Sequence, residues 1–140
     1  MISVYSVKKA LLDKAVEVST VNGYVLVPNG MAYTPTPNEA YVKEFTITGE
    51  DNNPFLANDS CDTQRGIYQL TIFTPKAMTG GKWLGSSMLD IYKAAFPKGL
   101  FLTHESQRVR IVKSSSITND NLDTDTHYTT ILSITYNVIN

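Results

Sequence analysis

The sequence has 140 residues, 42% of them hydrophobic and 18% charged, which predicts one domain over residues 1–140 with a buried core. Twelve Lys and Arg against thirteen Asp and Glu give a net charge of −1. Duplex nucleic-acid binding as a main task is therefore not expected. With one cysteine and two histidines, the composition excludes a disulfide framework and the usual cysteine-based or catalytic metal centres.

The first element is predicted to be an amphipathic helix over residues 3–18. Ser3 is the predicted N-cap, and Asn22-Gly23 ends the element because this dipeptide tolerates a positive φ. Charged residues interrupt the segment too early for a signal peptide, and no apolar run approaches the ~20 residues that span a bilayer. No membrane association is predicted, and the expected compartment is the cytosol. Within this first helix the apolar residues recur at spacings of three and four: Val4, Val7, Leu11, Ala15 and Val18.

Two strands are predicted next, at residues 24–27 and 40–49. Alternation in the second strand places Tyr41, Phe45 and Ile47 on one side, which is typical of a sheet with one buried and one wetter face. Residues 49–64 form the least structured stretch, and loops of this length are often functional. That stretch has a charge of −4 and no Lys or Arg; its acidic residues are Glu50, Asp51, Asp59 and Asp62.

The strongest strand pattern covers residues 65–74. Its apolar residues lie on both sides, which predicts a central strand covered on both faces. A second helix is predicted over residues 82–95, followed by short strands at about 100–103 and 108–113. Residues 114–125 read as a polar loop. Its acidic residues are Asp120, Asp123 and Asp125.

A last strand covers residues 126–138 and completes the order helix, strands, helix, strands. Most links between strands contain no helix, which favours antiparallel pairing. The predicted fold class is α+β, with a mostly antiparallel twisted sheet packed with two main helices.

Few residue patterns indicate catalysis or ligand binding. Gly80-Gly81-Lys82 lacks the spacing and the Ser or Thr of a phosphate loop, so a helix start is the better interpretation. The aspartates of 120–125 lack the glycine and the closing glutamate of a calcium loop. His127 has no local signature of a nucleophilic triad. One alternative keeps a small hydrolase or ligand-binding domain that uses His127 with Asp123 or Asp125.

Surface residues give a different kind of candidate. Arg108, Arg110 and Lys113 place three positive charges within six residues, without interleaved aromatics on which bases could stack. The acidic stretch at 50–62 is a natural complement, and the two could meet between subunits and set the register of an assembly. Trp83, at the start of the second helix, is either a contact anchor or a core residue. The candidate oligomer or partner contacts are Asp51, Asp59, Asp62, Arg65, Trp83, Arg108, Arg110, Asp120 and Asp123.

Several segments together resemble a known family. They are Pro28-Asn29-Gly30 with Tyr33 and Pro35, Arg65-Gly-Ile-Tyr-Gln-Leu-Thr-Ile-Phe-Thr-Pro75, Ala94-Ala95-Phe96 at the end of a helix, and Tyr128 with Ile134-Thr135-Tyr136 in the last strand. In this order the chain resembles the tail-terminator proteins of long, non-contractile-tailed phages of the lambda type over roughly residues 3–137. Relatives often carry a tryptophan just before the Pro-Asn, where this chain has Leu26-Val27.

The resemblance implies a structural protein without catalysis or a cofactor. It implies a homo-oligomer, a hexameric ring in the virion tail that caps the tail tube, stops its polymerisation and contacts the neck proteins that join head and tail. DNA would pass through the ring without specific binding. Assembly would take place in the cytoplasm of the bacterial host, and a weak dependence on Mg²⁺ stays open. A neck or head-closure protein is the alternative within the same class.

Overall fold

A computed structural model of the protein describes residues 2–36, 38–52, 63–118 and 122–139. The elements follow the predicted order of helix, strands, helix and strands. In chain order they are α1 (Val4–Asn22), β1 (Val25–Val27), β2 (Tyr41–Asn52), β3 (Thr63–Pro75), α2 (Gly81–Ala95), β4 (Phe101–His104), β5 (Gln107–Thr118) and β6 (His127–Ile139).

The strands of the described ranges form one six-stranded sheet with the order β1-β2-β3-β6-β5-β4. β1 and β2 are parallel, and all other neighbours are antiparallel. The predicted α+β fold, a mostly antiparallel sheet with two main helices, is confirmed. Both edges of the sheet are short, since β1 has three residues and β4 has four.

Local signals set both ends of α1. The Ser3 hydroxyl accepts a hydrogen bond from the Ser6 amide at 3.2 Å, so the predicted N-cap is confirmed. At the other end, Gly23 adopts a left-handed conformation with φ 71°, and the Tyr24 amide donates to the Ser19 carbonyl at 2.8 Å. The helix therefore continues past the predicted residue 18 to Asn22, because the cap and not the apolar stripe decides where it ends.

Both helices lie on the same side of the sheet. α2 packs on β3 and β6, and α1 packs on β4 and β5. The Ser19 and Tyr92 hydroxyls are 2.6 Å apart and join the two helices. The largest fully buried side chains fill the space between helices and sheet: Tyr68, Tyr92, Tyr136, Phe96, Leu11, Leu70, Ile72, Met88, Ile111, Leu132 and Ile134, together with His127 under a loop.

Two predicted loops are shorter than expected. β5 continues to Thr118 by pairing Ser114 with Ile134 and Thr118 with Thr130, so a polar run that looks like a loop is held in the sheet by its neighbour. β2 extends to Asn52 and β3 begins at Thr63. The predictions for residues 53–62 and 119–121 lie outside the described residues.

The prediction that β3 is covered on both sides is half wrong. β3 is central, between β2 and β6, and Tyr68, Leu70 and Ile72 are fully buried under the helices. On the other side, however, Ile67 is 37% exposed. The reason is that both helices pack on one side, whereas within the described ranges the other side is covered only at its end, where the loop before β2 lies against Tyr41 and His127.

Candidate assembly surfaces

The exposed part of the sheet side opposite the helices is called the open face; the loop before β2 covers the remaining end of that side, at Tyr41, Phe73 and His127. Its residues alternate with buried ones along each strand, and residues paired across antiparallel strands point to the same side. The open face comprises Lys43, Phe45 and Ile47 of β2; Arg65, Ile67, Gln69 and Thr71 of β3; Ile131, Ser133, Thr135 and Asn137 of β6; Arg108, Arg110, Lys113, Ser115 and Ile117 of β5; and Phe101 and Thr103 of β4.

Large apolar side chains on this face are exposed. Phe45 is 48% exposed, Ile47 47% and Ile117 48%. Ile47 lies directly opposite Ile67 across the β2–β3 pair, so the two side chains form one apolar contact area. A cluster of this kind marks a surface that binds another molecule more often than scattered single residues do.

Three arginines converge at one corner of the open face. Arg65 and Arg110 flank Asn137 in register, and the Arg65 Nε donates to the Asn137 Oδ1 at 3.1 Å. The Arg108 guanidinium carbon lies 4.3 Å from the centre of the Phe101 ring, a cation–π contact. The structure thus brings together three of the predicted contact residues. As the sequence indicates, β5 itself has no aromatic residue interleaved with these arginines, and the ring comes from the neighbouring strand β4.

Lys43 and Lys113 bring the open face to five cations, and its described side chains include no carboxylate. Glu44, next to Lys43 in sequence, points to the helix side instead. There the Tyr68 hydroxyl donates to Glu44 at 2.5 Å, and the Asn29 amide donates to it at 3.0 Å. Burial, followed by the nearby Glu44 carboxylate, raises the pKa of Tyr68 well above its usual value.

A concavity of about 700 Å³ opens on this face. It lies between two register irregularities, one in β2 between Thr48 and Asp51 and one in β5 between Ile111 and Lys113. Such irregularities bend strands and redirect side chains. The lining residues are Ile47, Gly49, Arg65, Gly66, Ile67, Val112, Lys113 and Thr135. The concavity therefore has apolar walls with two cations at its rim.

Gly66 is required for the close packing beneath this concavity. A Cβ at this position would lie 2.4 Å from the Tyr136 hydroxyl oxygen and 2.6 Å from the Ile47 carbonyl oxygen. The Tyr136 hydroxyl is buried and has no hydrogen-bond partner among the described residues. Burial raises the pKa of Tyr136 to about 12, because the phenolate would lose its hydration.

Trp83 lies on the helix side of the molecule, in the first turn of α2, and is 81% exposed. The interpretation of Trp83 as a core residue is therefore wrong. The preceding Gly80 has φ 80° and serves as the N-cap of α2, and the Lys82 ammonium lies 5.3 Å from the centre of the Tyr128 ring. Gly80-Gly81-Lys82 is thus a helix start, as predicted.

The acidic candidates are less well defined. Asp123 Oδ1 accepts a hydrogen bond from the Thr129 amide at 2.8 Å, which helps to hold the start of β6. Asp51 lies in β2, paired with Gln64 of β3. Asp59, Asp62 and Asp120 lie outside the described residues, so their contact role stays a prediction.

The contacts of His127 give it a structural role. It is buried, its Nδ1 is 2.8 Å from the Thr126 hydroxyl, and its Nε2 is 2.9 Å from the Glu39 carbonyl oxygen. Its ring also packs edge-on against Tyr41, with 5.2 Å between ring centres. Both ring nitrogens are engaged, which leaves neither to activate a nucleophile and gives the hydrolase alternative no support.

The sequence prediction missed most of the open face as a candidate surface. Lys43, Phe45, Ile47, Ile67 and Ile117 were not among the predicted contact residues, although they lie beside Arg65 and Arg110. A signal was present in the apolar residues on both sides of β3. It indicates a second covering surface, and that surface need not belong to the same chain.

Comparisons with known proteins agree with this structural picture. Residues 6–136 match the family described as "Phage tail terminator protein". No curated protein matches the chain. One solved structure aligns with a TM-score of 0.76 at 17% identity, and the alignment covers 99% of this chain and 96% of the other; this likeness shows the fold alone. Among the described residues, no helix is long and apolar enough to cross a membrane.

Proposed function

Since the chain belongs to the phage tail terminator family, we propose that it forms a ring that caps the tail tube, stops its polymerisation and joins the tail to the neck of the head. Family membership makes the protein a structural component of the phage tail that interacts with other tail proteins. The further elements of the proposal are a hexamer, tail-tube and neck proteins as partners, and assembly in the cytoplasm of the bacterial host.

The proposal of a ring rests on the open face. It exposes Phe45, Ile47 and Ile67 beside the arginine corner, and Arg and aromatic residues are enriched in protein interfaces. A subunit that assembles can leave such a face uncovered, because a neighbour covers it in the ring. Trp83, exposed on the opposite side, is a second anchor for a tube or neck protein.

Catalysis and a cofactor have no place in this proposal. The buried and fully bonded His127 argues against the alternative of a hydrolase that uses this residue. DNA is proposed to pass through the ring without specific binding, in keeping with the net charge of −1. Mg²⁺ is proposed to have at most a weak effect on assembly, which native mass spectra recorded with Mg²⁺ and with EDTA would check.

The test is a tube-growth assay. Tail-tube subunits from the same phage are allowed to polymerise with and without the protein, and tube lengths are measured by negative-stain electron microscopy. We expect the protein to halt growth and to appear as a ring at one tube end. Native mass spectrometry should show a species of six 15.5 kDa subunits, on its own or on the tube. Unchanged tube lengths at a molar excess of protein would refute the proposal.

The same assay separates the neck alternative. A neck or head-closure protein would leave the tubes growing, yet it would bind tubes that a terminator has already capped. Adding the protein to growing tubes and to capped tubes in parallel distinguishes the two roles, whatever the number of subunits in its ring.

A further inference from the structure

We infer that the open face is the surface on which each subunit receives a second copy of this chain, and that the second copy binds with a different, acidic part of its own surface. The inference rests on the proposed ring and names the surface that holds it together. It predicts a head-to-tail contact, the kind that closes into a ring when the rotation fits.

The first argument is the apolar area that the fold leaves uncovered. One side of the sheet is buried by α1 and α2. The other side exposes Ile47, Ile67 and Ile117, and no helix or strand in the described part of the chain packs on it. The loop before β2 covers only its far end, at Tyr41 and His127. Covering these side chains removes apolar surface from water and so favours association.

The second argument is charge. The open face carries five cations and no carboxylate among its described side chains. The whole chain has a net charge of −1, so everything outside this face has a formal charge of −6. Two open faces brought together would set five cations against five, which repels. An open face against another part of the next copy pairs opposite charges instead.

The third argument is the shape of the contact. The concavity between the two register irregularities has walls made by Ile47, Ile67 and Val112, and Arg65 and Lys113 lie at its rim. A cavity of about 700 Å³ accommodates a large side chain. Its chemistry fits an apolar side chain with a carboxylate beside it, as an acidic protein surface presents.

Nucleic acid fits this face less well. Single-strand binding uses several aromatic rings on which successive bases stack. Among the exposed side chains of this face, Phe45 offers one such ring, and its neighbours Ile47 and Ile67 are aliphatic. Phe101 has such a ring, but Arg108 already lies over it at 4.3 Å. A phosphate backbone would also leave Ile47 and Ile67 exposed to water.

The experiment uses a variant in which only charges of the open face are changed. Arg110→Glu with Lys113→Glu reverses two exposed charges at the arginine corner and at the rim of the concavity. Lys8→Glu with Lys98→Glu reverses two exposed charges away from the open face and is the matched control. Circular dichroism and melting curves should show that both variants fold.

We expect the open-face variant alone to be monomeric, with self-association weakened about 100-fold or more, whereas the control assembles like wild type. The decisive step mixes labelled variant with wild type. In a head-to-tail contact, the variant still offers its acidic surface to a wild-type open face, so it joins wild-type chains as a terminal subunit and shortens the oligomers. In a face-to-face contact it would not bind at all.

Failure of this inference can be told apart from failure of the proposed function. If the open-face variant still assembles and caps tubes like wild type, the inference is overturned and the terminator role stands. The inference is also overturned if the variant fails to join wild type, or if it assembles normally but loses affinity for duplex DNA. If wild type itself does not halt tube growth, the proposed function fails regardless of how the copies associate.

Discussion

The two sides of the sheet differ sharply, although alternate residues of the same strands form both. On the helix side, Tyr68, Leu70 and Ile72 are fully buried. On the open face, Ile67 is exposed, with Arg65 two residues before it in β3 and Lys113 of β5 on the far side of Thr135. One side therefore supplies the stability of the single subunit. The other contributes little to that stability and is available for association, so substitutions on the two sides should affect different measurements.

The largest expected effect on stability comes from the helix side. Leu70→Ala should lower the free energy of unfolding by about 2–5 kcal/mol, since it opens a cavity under the helices. Ile67→Ala, on the open face of the same strand, should cost less than about 1 kcal/mol and instead weaken assembly. Urea denaturation of the dilute, monomeric protein measures the first quantity and analytical ultracentrifugation the second. Equal losses of stability would contradict the distinction between the two sides.

A smaller effect is expected for the tyrosine hydroxyls of the helix side. Tyr68→Phe removes the donor to Glu44 and should cost about 1–3 kcal/mol. Tyr136→Phe is the matched change, and because its hydroxyl has no partner among the described residues, it should be neutral or stabilising by up to about 1 kcal/mol. Denaturation curves of the two variants, measured side by side, check this. A large loss for Tyr136→Phe would show that its hydroxyl is bonded.

Alkaline pH should weaken the helix side selectively. The native pKa of Tyr136 is raised to about 12 from 10.0, so above pH 10 the unfolded chain loses this proton while the native protein keeps it. Stability is then fully present below about pH 10 and falls towards pH 12, by at most about 1.4 kcal/mol per pH unit for each such tyrosine. Urea midpoints at pH 9, 10 and 11 should show the fall, and Tyr136→Phe should make it shallower. A stability that rises over this range would refute the assignment.

The smallest effect on stability is expected for Trp83. Because it is 81% exposed, Trp83→Ala should change the free energy of unfolding by less than about 0.5 kcal/mol, yet reduce capping of tail tubes. It is the sole tryptophan, so its fluorescence reports on its own surroundings and should shift to the blue when the protein binds a tube. Met78→Ala, also at an exposed residue, is the control. No shift on binding would remove Trp83 from the contact.

The sequence predicts elements well where local interactions decide them. The ends of α1 depend on Ser3 and Gly23, residues that bond within one turn of the helix, and both were predicted. The extension of β5 to Thr118 depends on pairing with β6 across the chain, and a run of serines gives no local sign of it. Element order and fold class follow from patterns inside each element, whereas strand length depends on the neighbour.

The candidate surface was predicted in part. Arg65, Arg108 and Arg110 were predicted as contacts, and the structure brings them together. Ile67 is predicted to lie on a covered face, because alternation shows that β3 has two apolar sides but not on which side the helices pack. The concavity needs two register irregularities and Gly66, which depend on pairing between distant segments.

The short strands at both edges of the sheet limit how this protein can polymerise. With three residues in β1 and four in β4, the edges offer few free backbone groups to which another strand could add. Growth by strand addition, which has no natural end, is therefore disfavoured. Assembly then depends on contacts between side-chain surfaces, which fix the angle between neighbouring subunits. Geometry therefore limits the number of copies, and the concentrated protein should resist forming fibres.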